Sequence, residues 1–176
     1  GGNHITNDVA IGFRTHVDVA EQIKLVHGTC APAEVGKKDV IKLADFVPED
    51  RTVFSRRELA EIIEARVLDV FEAVQRELKK IERKQLLPAG VVMVGGSSAL
   101  PGLVARAKQE LGLPVELGMP RTQGVAMDAA VAPSFASVLG VLRWAETHGG
   151  GSHRTTSRLS SPHWGNIMRW LKTLLP

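Results

Sequence analysis

The spacing of apolar residues changes along this chain, and each change marks an element. From Leu59 through Ile62, Ile63, Val67, Val70, Phe71, Val74 and Leu78 to Ile81, they recur at the three- and four-residue steps of one helix face. Ser55 before that run and Glu58 three residues later form a capping box, and Pro88 sets its far limit. The spacing therefore predicts a long helix. Glu61, Glu64, Arg66 and Glu72 lie on its polar face and read as solvated charges.

Upstream, Ile5, Val9 and Phe13 make a shorter stripe behind Gly1-Gly2-Asn3, with Asn3 or Thr6 as the expected cap and Asp8 near the positive end. A second helix is expected from Thr15 and Asp18 through Val17, Ala20, Ile23 and Val26, with Gly28 in the left-handed position after it. Between Asp39 and Val47, polar and apolar residues alternate roughly, which predicts a strand closed by Pro48. Val91-Val92-Met93-Val94 is a continuous apolar run and predicts a strand buried on both faces. A helix follows from Leu103 to Leu111, closed by Gly112. A short strand covers Pro114 to Leu117, and a loop runs from Met119 to Gly124. Pro133 suits the first position of a last helix through Phe135, Val138, Leu139, Leu142 and Trp144, with Gly140 in its middle. Strands followed by helices give an α/β chain.

Residues 149–162 change the picture, because Gly, Ser, Thr and Arg replace the apolar positions. That composition reads as a flexible linker. In 163–176 the period returns. At about 100° per residue, Trp164, Ile167, Met168, Leu171, Leu174 and Leu175 fall on one side of a helix. Arg169 and Lys172 fall on the other, and Trp170 sits at the boundary, where an indole suits a membrane interface. Such a helix lies in a headgroup layer with its cations toward anionic lipid. Charge agrees: the segment after Glu146 holds 4 of the 22 basic residues and none of the 19 acidic ones, in a chain of net charge +3. Nucleic acid suits the tail less well, since its tryptophans form an apolar wedge and not an alternating basic–aromatic platform.

The remaining composition mainly excludes. Apolar residues make up 44% of the 176, enough for a core. The single cysteine, Cys30, cannot form an internal disulfide and fits a reducing compartment. No run approaches the length of a membrane span, and the histidines show no metal-ligand spacing. The candidate chemistry lies in the glycine pairs. Gly95-Gly96 after the apolar strand allows a sharp turn and a close ligand approach. Gly1-Gly2 before a helix presents unpaired N–H groups to an anion.

Four stretches together resemble the FtsA family of bacterial, actin-like division proteins. Gly1-Gly2-Asn3-His4-Ile5-Thr6-Asn7-Asp8-Val9-Ala10 resembles its Gly-Gly-Asp/Asn-His-Ile-Thr-x-Asp-Ile-Ala segment. Ser55-Arg56-Arg57-Glu58-Leu59 with Ile62-Ile63-Glu64-Ala65-Arg66 resembles its long helix, and Val92-Met93-Val94-Gly95-Gly96 to Pro101-Gly102 its adenosine loop. Pro133-Ser134-Phe135-Ala136-Ser137-Val138-Leu139-Gly140 resembles its closing helix, and the amphipathic end its membrane-targeting sequence. The resemblance implies one lobe of an actin/ribonuclease H-like ATPase fold. Residues 1–35 and 119–148 would form subdomain 2A and 36–118 subdomain 2B.

It further implies that Gly95, Gly96 and Ser97 line the adenosine pocket. Arg57, Glu58 and Glu61 would approach that pocket from the long helix, with Gly1, Gly2 and Asn3 near the phosphates. The implied cofactor is ATP, with Mg2+ in the complete protein. The implied partners are the FtsZ C-terminal peptide, further copies in a filament, and the anionic inner face of the cell membrane at the division site. No catalytic residue is implied, since family turnover is weak. The family carries its first phosphate loop and subdomains 1A and 1C upstream of the stretch matching Gly1. The chain is therefore expected to be a piece of a longer protein, and to bind ATP poorly alone. The competing expectation is a lobe of another actin-like ATPase, of chaperone or sugar-kinase type, which would lack the lipid-binding end.

Overall fold

The computed structural model describes residues 1–80, 87–120 and 132–148. The chain divides into two units, Gly1–Leu139 and Gly140–Pro176.

In the first unit, α1 (Gly2–Gly12) buries Ile5, Thr6, Val9 and Ala10. Its cap is Gly1, whose carbonyl accepts from His4 N–H at 3.0 Å. Asn3 and Thr6, the expected caps, lie inside the helix, which starts ahead of both. Asp8 answers to a residue of a later helix, not to the helix end. Phe13 N–H bonds Val9 O and Thr15 N–H bonds Ala10 O, which places Arg14 in the left-handed region at φ 49°. Helix α2 (Val17–His27) follows His16, so neither Thr15 nor Asp18 begins it. Ala20 and Ile23 are buried, but Val26 is 65% exposed. Gly28 is extended at φ −66°, ψ 140°, and not left-handed as expected, because the chain runs straight on toward Thr29 and Cys30 in the core wall.

The expected strand from Asp39 is cut short. Strand β1 (Val40–Lys42) pairs antiparallel with β2 (Val53–Ser55), Ile41 opposite Phe54. After Lys42 the backbone winds into a 3-10 turn at Leu43–Asp45. Val40, Leu43 and Phe46 are spaced by three, which is the period of that turn and not of a strand. Phe54 stacks on Phe13 with ring centroids 4.1 Å apart, fixing the hairpin against the end of α1.

Helix α3 (Arg56–Lys80) starts directly from β2 and buries Leu59, Ala60, Ile63, Val67 and Phe71. Its continuation to Ile81 lies outside the described residues. Two of the four supposedly solvated charges are engaged. Arg66 grips Asp8 of α1 with two hydrogen bonds, Nη2 donating to Oδ1 at 2.9 Å. Glu64 lies 3.4 Å from Arg106. Glu61 and Glu72 are exposed, as read from the sequence.

Strand β3 (Val91–Met93), helix α4 (Leu103–Leu111) and strand β4 (Val115–Leu117) form a β-α-β unit with a parallel pair, Val91 opposite Val115. Gly112 closes α4 at φ 63° as expected. The expectation of burial on both faces fails: Val92 and Val94 are 54% and 56% exposed. This sheet has two strands among the described residues, and only the Val91 and Met93 side packs on the core. Pro133 stands in a 3-10 turn, Ala132–Phe135, one turn ahead of the place expected for it, and α5 (Ala136–His148) begins after it. Leu139 is buried, while Phe135 and Val138 are 43% and 55% exposed.

One core joins α1, α2, α3, α4 and β4 through Val9, Ala20, Ile23, Leu59, Ile63, Ala107 and Leu111. In the second unit, the described residues continue α5 to His148, whose ring stacks on Trp144 at 5.3 Å. Val141, Leu142 and Trp144 are exposed there. The expected loop beyond Pro120, the linker and the terminal amphipathic helix lie outside the described residues, and with them Trp164, Ile167, Met168, Arg169, Trp170, Leu171, Lys172, Leu174 and Leu175.

Candidate functional site

A cleft of about 600 Å3 opens in the first unit where the two glycine-rich segments approach each other. Gly2 and Asn3 come from the first turn of α1. Glu21, Lys24, Leu25 and Val26 come from α2, and Arg56 from the start of α3. Gly96, Ser97 and Ala99 come from the turn after β3. The glycine segments approach closely at Gly2, where a Cβ would force the Ser97 hydroxyl to move. The turn itself depends on Gly95, held at φ 99° and ψ 163°, which a side chain rarely tolerates. Ser98 seals it by returning both N–H and Oγ–H to Gly95 O, and Gly95 N–H bonds Pro133 O at 3.0 Å. Ser97 is thereby left facing the cleft, with Ser134 beside it.

The polar wall is a closed network. Lys24 Nζ lies 2.6 Å from Glu21 Oε2 and donates to Thr6 Oγ1 at 2.9 Å; the Lys24 side chain is 11% exposed. The single Thr6 hydroxyl proton is shared between Glu21 Oε2 and, at 3.0 Å, Gly2 O. Burial pushes the Glu21 carboxyl up, and the bonds from Lys24 and Thr6 push it down. The net effect holds it below the usual carboxylate range, so it is ionised at neutral pH. Arg56 donates from Nε to His27 O at 3.2 Å and directs Nη1 toward Asp39 at 3.7 Å. Burial and the Arg56 charge lower the pKa of His27, against a smaller opposing pull from Asp45. Cys30, near Pro101, is buried; desolvation and the Glu64 charge push its thiol up to about 12 against the opposing pull of Arg106, which leaves it unreactive. Among the described residues, no group of three or more His, Cys, Asp or Glu side chains is placed to hold a metal.

Of the nine residues assigned to the nucleotide by resemblance, Gly2, Asn3, Gly96 and Ser97 line this cleft. Gly95 immediately precedes the turn and Gly1 caps α1, and neither lines the cleft. Arg57, Glu58 and Glu61 do not line it. Arg57 faces the other way, donating to Val35 O at 3.2 Å, and its Nε is buried without a hydrogen-bond partner. Glu58 and Glu61 are exposed. Successive helix residues point about 100° apart, so Arg56 occupies the place that the resemblance gave to Arg57. Sequence reading missed Glu21, Lys24, Arg56 and Ser134. The signal was a Glu-x-x-Lys pair on the helix after the first glycine segment, which looks like any solvated i,i+3 pair.

The fold and the cleft define a mixed α/β lobe with a ligand-sized opening between two glycine-rich turns. The sequence profile of the family described as cell division protein FtsA matches residues 1–140. The chain belongs to the FtsA family, which implies an actin-like fold. It is 29% identical over 179 residues to cell division protein FtsA of Pseudomonas aeruginosa, covering 97% of this chain and 43% of that protein. Against the Neisseria meningitidis protein of the same name the figures are 35% over 143 residues, 81% and 34%. Against that of Escherichia coli K12 they are 28% over 181 residues, 98% and 42%. The chain spans less than half the length of these relatives.

Proposed function

We propose that this chain is the C-terminal lobe of an actin-like division protein that tethers FtsZ filaments to the cytoplasmic face of the cell membrane at the division site. The observation that carries the reading is the meeting of Gly2 and Asn3 with Gly96 and Ser97 around one cleft, in a chain of the FtsA family. Residues 1–35 and 119–148 act as subdomain 2A and 36–118 as subdomain 2B. The cleft fits part of an adenine nucleotide. Its volume, about 600 Å3, is that of a small-molecule site. The α1 terminus offers unpaired N–H groups at one end, and Leu25, Val26, Leu100 and Pro101 offer apolar wall. Bound ATP, with Mg2+ in the complete protein, supplies a ligand that favours the assembled state; the lobe holds it and does not turn it over.

Residues 163–176 anchor the lobe through Trp164, Trp170 and the leucines, with Arg169 and Lys172 on anionic headgroups. No described helix is long and apolar enough to cross a membrane. Subdomain 2B offers its surface to the FtsZ C-terminal peptide and to the next copy in a filament.

Flotation with vesicles of phosphatidylglycerol and phosphatidylcholine tests the tether. The full chain floats with the vesicles and carries FtsZ filaments with it, and deletion of 164–176 leaves both in the load fraction. Vesicle binding unchanged by that deletion removes the membrane half of the reading.

A further inference from the structure

Helix α5 is apolar on two sides. Leu139, on one of them, is buried. At about 100° per residue, Val141, Leu142, Trp144, Ala145 and His148 share an arc centred well away from Leu139. Arg143, Glu146 and Thr147 lie on the remaining side. All eight residues from Val141 to His148 are exposed, Trp144 by 64%. The polar groups of this end are answered locally. The Thr147 hydroxyl turns back on Arg143 O and Trp144 O at 3.0 and 3.1 Å, and the His148 ring lies against Trp144. The apolar arc has no such answer in burial. Two turns of helix without a buried side are marginal in water, and an apolar stripe left open marks a contact surface.

The chain that follows carries a matching stripe. Residues 149–162 have the composition of a linker, and a coil of 14 residues spans about 20 Å. Packed helices lie about 10 Å apart, so that length lets 163–176 return antiparallel along α5. Trp164, Ile167, Met168 and Leu171 then extend over eight residues, the same helix length as Val141 to His148. Their spacing of three and four fits the spacing of Val141, Leu142, Ala145 and His148 on the facing helix.

We propose that, away from lipid, residues 163–176 pack their apolar face on the exposed arc of α5, and that an anionic membrane takes the same face in exchange. The proposal rests on the membrane-tether reading above and makes α5 the surface the tail leaves in order to bind. One apolar face cannot serve both partners. Vesicle affinity is therefore reduced by the fraction of chains whose tail is already packed.

The test uses the 176-residue chain with Trp144→Phe and Trp170→Phe, which leaves Trp164 as its one tryptophan. In dilute solution without lipid, Trp164 should emit to the blue of the same residue in a free 163–176 peptide. Adding Leu142→Gln should return it to the peptide value. In flotation with phosphatidylglycerol and phosphatidylcholine vesicles, Val141→Ser with Leu142→Gln should bind about tenfold more tightly than wild type. Trp164 emission equal to that of the free peptide overturns the proposal and, where the wild-type chain still floats, leaves the tether reading intact. A blue shift indifferent to Leu142→Gln puts the tail elsewhere, and one lost on further dilution gives the cover to a second copy; either overturns it. Vesicle affinity unchanged by the double substitution overturns the exchange. Vesicle binding that survives deletion of 164–176 overturns the tether reading and the exchange together.

Discussion

Arg14 is the described residue other than glycine with a positive φ, at 49°. It holds the place after α1 where the helix reverses, and where glycine is usual because a Cβ crowds the following carbonyl. Arg14→Gly relieves that crowding, while the freer unfolded chain takes part of the gain back. The net expectation is a stabilisation of about 0.5 kcal/mol, seen as a higher urea midpoint with unchanged slope. A lower midpoint would mean that the arginine side chain holds the turn by a contact worth more than the strain. The same residue-level logic separates Arg56 from Arg57. They are neighbours of one chemistry, yet one lines the cleft and the other donates to Val35 O.

The α1–α3 pair carries the lobe as an element-scale unit. Ile63 of α3 is wholly buried, in a core that also holds Val9 of α1, Ile23 of α2 and Leu59. Ile63→Ala should cost about 3 kcal/mol, since the fixed helices cannot close over the gap. A loss under about 1 kcal/mol in urea unfolding would show that they can. The second tie between these helices is ionic. Arg66, chiefly by its hydrogen bond, holds Asp8 below its ordinary pKa of 3.8 against the opposing effect of burial, and the charges of Arg66 and His4 add smaller pulls the same way. Because the folded value is the lower one, the unfolded chain takes up the proton more readily. The stabilisation is therefore complete above the unfolded pKa and is lost as pH falls through the folded one. Asp8→Asn should lower the urea midpoint at neutral pH. Its deficit against wild type should narrow as pH falls below 3.8. A deficit that stays constant across that range would mean that the pair acts through shape alone.

Across the whole molecule, the charge excess sits in the tail, while the cleft holds its charges in pairs. The helices were legible in the sequence because burial on a helix repeats with the backbone's own period. Ile5, Val9 and Phe13, or Leu59, Ile63 and Val67, announce their inner face without reference to anything distant. The glycine turns were legible for a similar reason, since the constraint at Gly95 is local. The strands were less so. Val92 looked like core because a run of apolar residues does not say how many strands will stand beside it. The partners of Glu21, Lys24 and Arg56 were not legible at all. A Glu-x-x-Lys pair reads alike on an open helix and at a cleft; the angle at which α2 meets α1 and α3 brings Thr6 and His27 to these side chains, and the β1–β2 pairing brings Asp39 to Arg56. Sequence alone thus determined the helices, most of their inner faces and the family, because helical burial and short motifs are local patterns. Tertiary packing alone decided which side chains converge on the cleft, because convergence depends on how separate elements are set against one another.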